Sequence, residues 1–539
     1  MKNFKLAIAS IFLLAGISYA QEGFKKVRIN DFTGGMNSHS LSSILPLNQG
    51  ASMVNVEISR PGMIFKRKGQ DLFNQDTGDT PFYGIGRFDP DATTSYLVAA
   101  SGTQIIRSTS SAEQWTVANP SNALTPAQNT DFIQANDLLF ALNGFDNTSW
   151  YNGSAWTPGL TYPTSPPVAT TGAWLRNYLF LAGGTSERDW VYISNNLEPR
   201  TFSASDIIKI NTGDGQRIQH IEPFKQNELI IYKERSVFVL DITGSPPASC
   251  TTDCWTVQPI STTIGTVAPR SVVSLGNDHW FLSSNPIAIR SLARSQFDKI
   301  LLNYISEPIQ DIFDGTGELT INRTYINRSA AVLFDNKYFL AVPTGTSLVN
   351  NTVLVFNFLT NGWYIIQGWY PSDWVVFDER LFYTDANDGR VVECFAANYG
   401  DWSIGPSDLT SESIPTEPIR FYYQSKAIDF DEPENFKQAD AIEVEFEPTG
   451  NYNANVYINL DNDGWTSIGT VNLAGNSLTL PFDLPSPLSS AGLARKTFQT
   501  QQYGEFKKMQ VMVEQTNVDE KVNLQRITIF GRLKPWRRE

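Results

Sequence analysis

Three histidines, three cysteines and a scatter of carboxylates are the residues of this 539-residue chain with chemistry to offer. His39, His220 and His279 stand far apart, and no two have the spacing of a zinc-ligand pair. Cys250 and Cys254 bracket Thr-Thr-Asp in the loop GSPPASCTTDC. A zinc site there needs two further ligands, and no neighbouring His or Cys supplies them. In an oxidising compartment the same spacing allows a small loop disulfide, with two free thiols as the alternative. Cys394 lies in a strand-like run and reads as a small buried hydrophobe. Glu187 with Asp189, and Asp378 with Glu379, are nominal acid pairs for glycoside hydrolysis, although such pairs read first as solvated loop charges. There is no GxSxG turn, Walker loop, HExxH helix or CxxC pair, and Gly213-Asp214-Gly215 is a turn rather than a dinucleotide loop. The expectation is a protein without catalytic residues, cofactor or metal.

Composition points the same way. Charged residues are 18% and aromatic residues 12% of the chain, with 37 Gly and 29 Pro. Apolar runs rich in Val, Ile, Thr, Tyr, Phe and Trp favour an all-β protein with many turns. The length suggests two or three domains. The formal charge is −14, which disfavours general nucleic-acid binding, because phosphates require a basic face. Residues 1–20 have the form of a secretory signal: a basic start, an apolar stretch from Leu6 to Ile17, and Ser18-Tyr19-Ala20 before Gln21. Its removal takes away Lys2 and Lys5 and moves the charge from −14 to −16. No later apolar run is long enough to span a membrane.

The elements that position these residues recur. From about 80 to 400, apolar strands centred on Leu97, Leu138, Leu179, Leu229, Phe281, Phe339 and Phe382 each follow a polar turn and precede a second strand. Their spacings are 41, 41, 50, 52, 58 and 43 residues, a range that suits the blades of a β-propeller. Past 417 the strands alternate and are joined by Gly, Asn and Asp turns, as in a β-sandwich. The expected architecture is a signal-like peptide over 1–20, an extended arm and hairpin over 21–80, a propeller of six to seven irregular blades over 81–416, and a sandwich over 417–539. Trp150, Trp156, Trp363, Trp369 and Trp374 could form an aromatic rim that stacks on sugars, or fill blade cores.

The arm, VRINDFTGGMNSHSLSSILPLNQGASMVNVEISRPGMIFKRKG over 27–69, has its own grammar. Gly34-Gly35 allows a sharp reversal after Asp31-Phe32. Leu41, Ile44, Leu45 and Leu47 are expected to pack inward. Asn48 is placed to cap a short helix over 49–55, and Pro61-Gly62 suits the centre of a type II turn. The segment ends in Lys66-Arg67-Lys68-Gly69.

In order and content this segment resembles the N-terminal signature of tail tubular protein B, the tail nozzle family of short-tailed bacteriophages. The matching residues are Asp31, Phe32, Gly34, Gly35, Met36, Asn37, Leu45, Pro46, Asn48, Gln49, Asn55, Val56, Gly62, Lys66, Arg67 and Gly69, and Lys68 departs from the usual Pro. A second phrase, Gly265, Ala268, Pro269, Arg270, Ser271 and Val272, is similar to one in the propeller of the same family, as is the run from Gly213-Asp214-Gly215 to Lys233 and Ser236. The resemblance implies a virion structural protein. It would form a ring of identical subunits below a tail adaptor protein, through which double-stranded DNA passes without sequence-specific binding. Asp31, Phe32, Gly34, Gly35, Pro61, Gly62, Lys66, Arg67 and Lys68 are then the candidate assembly contacts. The competing expectation, from residues 1–20 and the cysteine pair, is a secreted or periplasmic propeller that binds glycans or surface proteins.

Overall fold

The structure, a computed structural model, describes residues 23–73, 81–109, 112–119, 124–163, 165–292, 304–387, 389–401, 417–474 and 493–534. The signal-like residues 1–20 lie outside the described residues. The chain forms two compact units: residues 67–359 with 363–419, and residues 1–66 with 360–362 and 420–539.

The larger unit is a β-propeller. Blade 1 comprises Phe82–Phe88, Tyr96–Ser101, Gln104–Thr109 and Ala112–Val117. Blade 2 comprises Asp131–Ala135, Leu138–Leu142, Ser149–Tyr151 and Trp156–Thr157. Blade 3 is Thr171–Leu175, Tyr178–Ala182, Trp190–Asn195 and Glu198–Lys209, and blade 4 is Ile218–Phe224, Glu228–Lys233, Val237–Asp241 and Thr256–Ser261. A three-stranded sheet follows as blade 5, Val273–Ser274, His279–Leu282 and Ile289–Ser291. Blade 6 is Ala330–Phe334, Lys337–Val342, Thr352–Asn357 and Gly362–Gln367. Blade 7 takes Pro371–Phe377, Arg380–Asp385 and Val391–Cys394, then borrows Gln70–Leu72 as its outer strand. Among the described residues six four-stranded blades and one three-stranded sheet thus complete the circle, and the first strand of each lies beside the first strand of the next, from Phe82–Phe88 round to Pro371–Phe377 and back.

The seven recurring apolar strands are the second strands of their blades. All seven marker side chains, from Leu97 to Phe382, are buried. The polar turn before several of them is a two-residue hairpin with both residues at positive φ: Arg176-Asn177, Asp335-Asn336 and Asp378-Glu379. That backbone twist matches the twist of paired strands, which is why the turn recurs.

The smaller unit is a β-sandwich. One sheet runs Ala494–Gln499, Lys437–Phe446, Asn523–Leu533, Ile64–Lys66 and Val56–Ile58, with Phe24–Ile29 also on Asn523–Leu533 and Glu505–Phe506 on Lys437–Phe446. The other runs Gln49–Val54, Phe421–Ser425, Met509–Gln515, Asn453–Leu460 and Trp465–Asn472. Ala454, Val456 and Ile458 point inward at every second position, as a half-buried strand requires.

As far as Lys66 the N-terminal arm is therefore part of the sandwich rather than a separate extension, and Gln70–Leu72 belongs to the propeller. Phe24 to Ile29 pair in register with Arg532 to Ile527. Residues 49–54 are a strand paired with Phe421–Ser425, not a capped helix. The Asn48 carbonyl accepts the Gly34 N–H at 3.1 Å, and a ladder with a buried partner outweighs a weak local helix signal. Leu45 packs inward, but Leu41, Ile44 and Leu47 do not: they are 73%, 71% and 45% exposed. The Arg60-Pro61 turn is closed by the Gly62 N–H on the Ser59 carbonyl, one residue earlier than expected. The Ser59 hydroxyl accepts the Met63 N–H at 3.1 Å, which draws the hairpin into that register.

Candidate functional site

Propeller strands run alternately up and down, so the first strands of the blades all begin at one face. At that face Thr130 and Asp131 of blade 2, Thr171 of blade 3, His220 and Glu222 of blade 4, and Ser372 and Asp373 of blade 7 surround the axis. Arg270, just before blade 5, ties them together. Its position follows from the Gly265–Val272 phrase. A Cβ on Gly265 would lie 2.1 Å from the Lys233 carbonyl oxygen, so the chain can pass there only as glycine. Thr266 Oγ1 donates to Leu282 O at 2.8 Å, and Pro269–Ser271 forms a 3-10 turn. Ser271 Oγ donates to Ala268 O at 2.6 Å and accepts the Leu282 N–H at 3.1 Å.

From that fixed turn the Arg270 guanidinium reaches across the ring. Nη2 donates to the carbonyls of Tyr83 at 2.7 Å and Thr130 at 3.3 Å, and Nη1 to that of Ser372 at 3.4 Å. Asp373 Oδ2 lies 3.6 Å from Nη2 and accepts the Ile85 N–H at 3.3 Å. One side chain thus joins blades 7, 1 and 2. Gly84 makes the approach feasible, since a Cβ there would sit 1.9 Å from the Thr130 carbonyl oxygen.

Burial pushes the Asp131 carboxyl above its ordinary value, and Asp373 and Glu222 add to this, while His220 and Arg270 pull it down. Burial also raises Asp373, against the opposing pull of Arg270. Both carboxyls line an axis that water touches, yet protein surrounds them, which is why desolvation dominates. His220 sits 3.3 Å from both Thr171 Oγ1 and Glu222 Oε2. Among the described residues no group of three or more His, Cys, Asp or Glu could hold a metal ion.

A second polar knot explains the other propeller phrase. Lys233 is fully buried, and its Nζ donates to both oxygens of Asp214 at 2.8 Å and to the Ile210 carbonyl at 3.0 Å. Burial works to raise the Asp214 carboxyl, but the Lys233 ammonium and the Gln216 N–H outweigh it and hold it below its usual range. His279 is also buried. Its Nε2–H donates to the Pro223 carbonyl, so Nδ1 accepts the Tyr232 hydroxyl at 3.0 Å, and burial lowers its basicity.

The sequence-derived assembly residues prove mostly internal. Asp31 Oδ1 accepts the Thr33 N–H and hydroxyl at 2.9 and 2.7 Å, and Gly62 packs against it so closely that a Cβ would lie 2.9 Å away. Phe32 is buried edge-on against Tyr423, and its N–H donates to the Gly62 carbonyl. Gly34 abuts Asn48 and Gln49, and Gly35 takes φ 67°. Lys66 is buried in the sandwich and donates to Gln515 Oε1 at 2.8 Å and the Asn517 carbonyl at 2.9 Å. Arg67 is buried in the propeller unit, paired with Asp401 and 4.9 Å from the Trp369 ring. Two of the three cations of the basic run are thus internal: only Lys68 is exposed, and of the remaining candidates Asp31 and Pro61 are.

Cys250 and Cys254 form a disulfide with a Cα separation of 5.5 Å, and Cys394 is buried and free. Trp363, Trp369 and Trp374 fill cores, so only the half-buried Trp150 and Trp156 remain of the proposed rim. Asp378 and Glu379 occupy a hairpin turn. The axial carboxylates Asp131, Glu222 and Asp373 were not singled out by sequence. Each opens or lies within a short inner strand with no motif of its own.

No family model matches the chain, and no curated protein matches it. Among solved structures it is similar to the computationally designed protein Ika8, at 10% identity and a TM-score of 0.38, over 60% of this chain and 100% of that one. The WD40 domain of Neurospora crassa Pan2 aligns at 8% identity and a TM-score of 0.35, over 61% and 95%. PorZ, a surface component of the type-IX secretion system of Porphyromonas gingivalis, aligns at 12% identity and a TM-score of 0.36, over 69% of this chain and 44% of that one.

Proposed function

We propose that this chain is a non-enzymatic structural protein of a short-tailed phage tail, a nozzle subunit that assembles with copies of itself below a tail adaptor. The reading rests on the two resembling phrases, Asp31–Gly69 and Gly265–Val272. It is supported by their geometry, since each phrase is a set of close backbone approaches that admits few other residues. Phrases of that kind carry a fold. The axis of the propeller is crossed by Arg270, so in this reading DNA runs through the lumen between subunits and not through a blade ring. An acidic chain suits that role, because a basic lumen would trap phosphates. The contact surface would be built from exposed Asp31, Pro61 and the Leu41, Ile44 and Leu47 loop.

Purified protein mixed with tail adaptor is expected to give rings by electron microscopy, and a Leu41→Ser, Ile44→Ser, Leu47→Ser variant to stay folded but lose them. A wild-type chain that remains monomeric and ignores the adaptor sinks the reading. A second reading, an exported propeller that binds surface molecules, is favoured by the Cys250–Cys254 disulfide, because such bonds persist in oxidising compartments. N-terminal sequencing of the native protein separates the two: a start at Gln21 favours export.

A further inference from the structure

A cavity of about 410 Å³ opens beside blade 6, where Lys337–Val342 ends and Thr352–Asn357 begins. This is the same face at which the axial cluster lies. Its wall includes Glu318, Thr320, Ser347, Asn351, Gln367 and Tyr370. It carries hydroxyls, amides, one carboxylate and the apolar Leu319, but no Lys, Arg or His. Tyr370 is 36% exposed, so a ring face is available at the rim.

Part of the wall is held in place before any ligand arrives. Asn351 Oδ1 accepts the Thr344 N–H and hydroxyl at 2.8 and 2.9 Å, and the Thr344 and Thr352 hydroxyls are 2.9 Å apart. The Asn351 amide nitrogen makes only a 3.5 Å contact to the Thr344 carbonyl, so it keeps donor capacity. Ser347 Oγ donates to Val349 O at 2.7 Å and accepts the Val349 N–H at 3.3 Å, which leaves it one lone pair to accept with. Gly345 takes φ of 62° and brings backbone to the wall with no side chain to fill it, whereas a Cβ on Gly368 would meet the Asp401 carboxylate 3.1 Å away.

These features select among ligand classes. An anionic ligand, a nucleotide or a sialic acid, finds no cation on the wall and meets Glu318. A metal ion finds one carboxylate and no cluster. An apolar ligand would strip water from the hydroxyls and amides and leave them unpaired. A neutral polyol with one apolar face meets all three conditions: its hydroxyls pair with the amides, hydroxyls and carboxylate, and its C–H face lies on the tyrosine ring. We infer that the blade 6 pocket binds a neutral saccharide, with Tyr370 as the stacking platform and Glu318 as an acceptor for sugar hydroxyls. This does not depend on ring assembly.

The test is saturation-transfer NMR on the full chain with D-glucose, D-galactose, D-mannose, N-acetyl-D-glucosamine and, as the charged probe, N-acetylneuraminic acid. The expected result is transfer to at least one neutral sugar and none to the acid. Transfer should fall at least fivefold in Tyr370→Ala and in Glu318→Gln. Both side chains are exposed, and far-UV circular dichroism checks that the variants remain folded. No transfer to any neutral sugar, transfer only to the acid, or transfer undiminished in either variant overturns the assignment.

Discussion

Arg270 does more for this fold than its half-buried side chain suggests, because its acceptors are carbonyls on three different blades. Arg270→Ala leaves those acceptors unpaired near the axis. Each such loss costs about 1–3 kcal/mol, and solvent access to the channel limits the total to about 2–4 kcal/mol. Arg270→Lys should recover less than half of it, since an ammonium cannot reproduce the planar fork. Urea denaturation of the three proteins checks both statements. Asp131 and Asp214 give a pH test with opposite signs. Asp214 has a depressed folded pKa, so its stabilising contribution is present above the unfolded value of about 3.9 and is lost as pH falls below it. Asp131 has a raised folded pKa, so its contribution is present below about 3.9 and is lost as pH rises through the folded value. Asp131→Asn should therefore raise the urea midpoint at pH 7, with the gain fading by pH 3. Asp214→Asn should lower it at pH 7, by about 3–5 kcal/mol in stability, because Lys233 is left buried and unpaired. At this scale the sequence showed Arg270 and Lys233 only as members of phrases. Their partners lie elsewhere in the chain: Arg270 and Tyr83 are 187 residues apart.

At the scale of elements, what could be read was what repeats. The second strands of the blades are continuous apolar runs, and their hairpins need residues that tolerate positive φ, so both leave a mark at a regular interval. The inner strands leave a weaker one. FYGIGRF, DFIQA and TGAWL carry glycine and polar residues because one side faces a crowded axis, and they do not read as core strands. The arm misled for a related reason. Leu41, Ile44 and Leu47 look like core by residue type, yet only Leu45 is inside. Gly84 shows how tight the inner ring is. Gly84→Ala would push a methyl into the Thr130 carbonyl and force apart the first strands of blades 1 and 2. A loss of about 1–3 kcal/mol is expected, measured as a lower guanidinium midpoint.

For the whole molecule the dominant quantity is charge. With 55 acidic against 41 basic residues, copies of this chain repel one another at low ionic strength. If the chain assembles into rings through its uncharged loop, raising sodium chloride from roughly 0.05 M to 0.5 M should favour assembly, because the screening length shrinks from more than about 10 Å to a few ångströms. Sedimentation velocity across that series checks the direction, and dissociation at high salt would point instead to ion pairs between subunits.

One joint has a consequence in time. The outer strand of blade 7 is Gln70–Leu72, whose partner Val391–Cys394 lies about 320 residues downstream. At synthesis rates of roughly 5–20 residues per second, the ribosome takes on the order of 16–64 s to deliver that partner. Phe24–Ile29 waits still longer for Asn523–Leu533. Throughout that interval these strands, and with them Gln49–Val54 and Ile64–Lys66, whose partners Phe421–Ser425 and Asn523–Leu533 also come late, have open edges, and edges of that kind recruit other chains. These seams close only when partners made several hundred residues later arrive, so the yield of folded protein should depend on translation speed and on whatever shields those edges in the meantime.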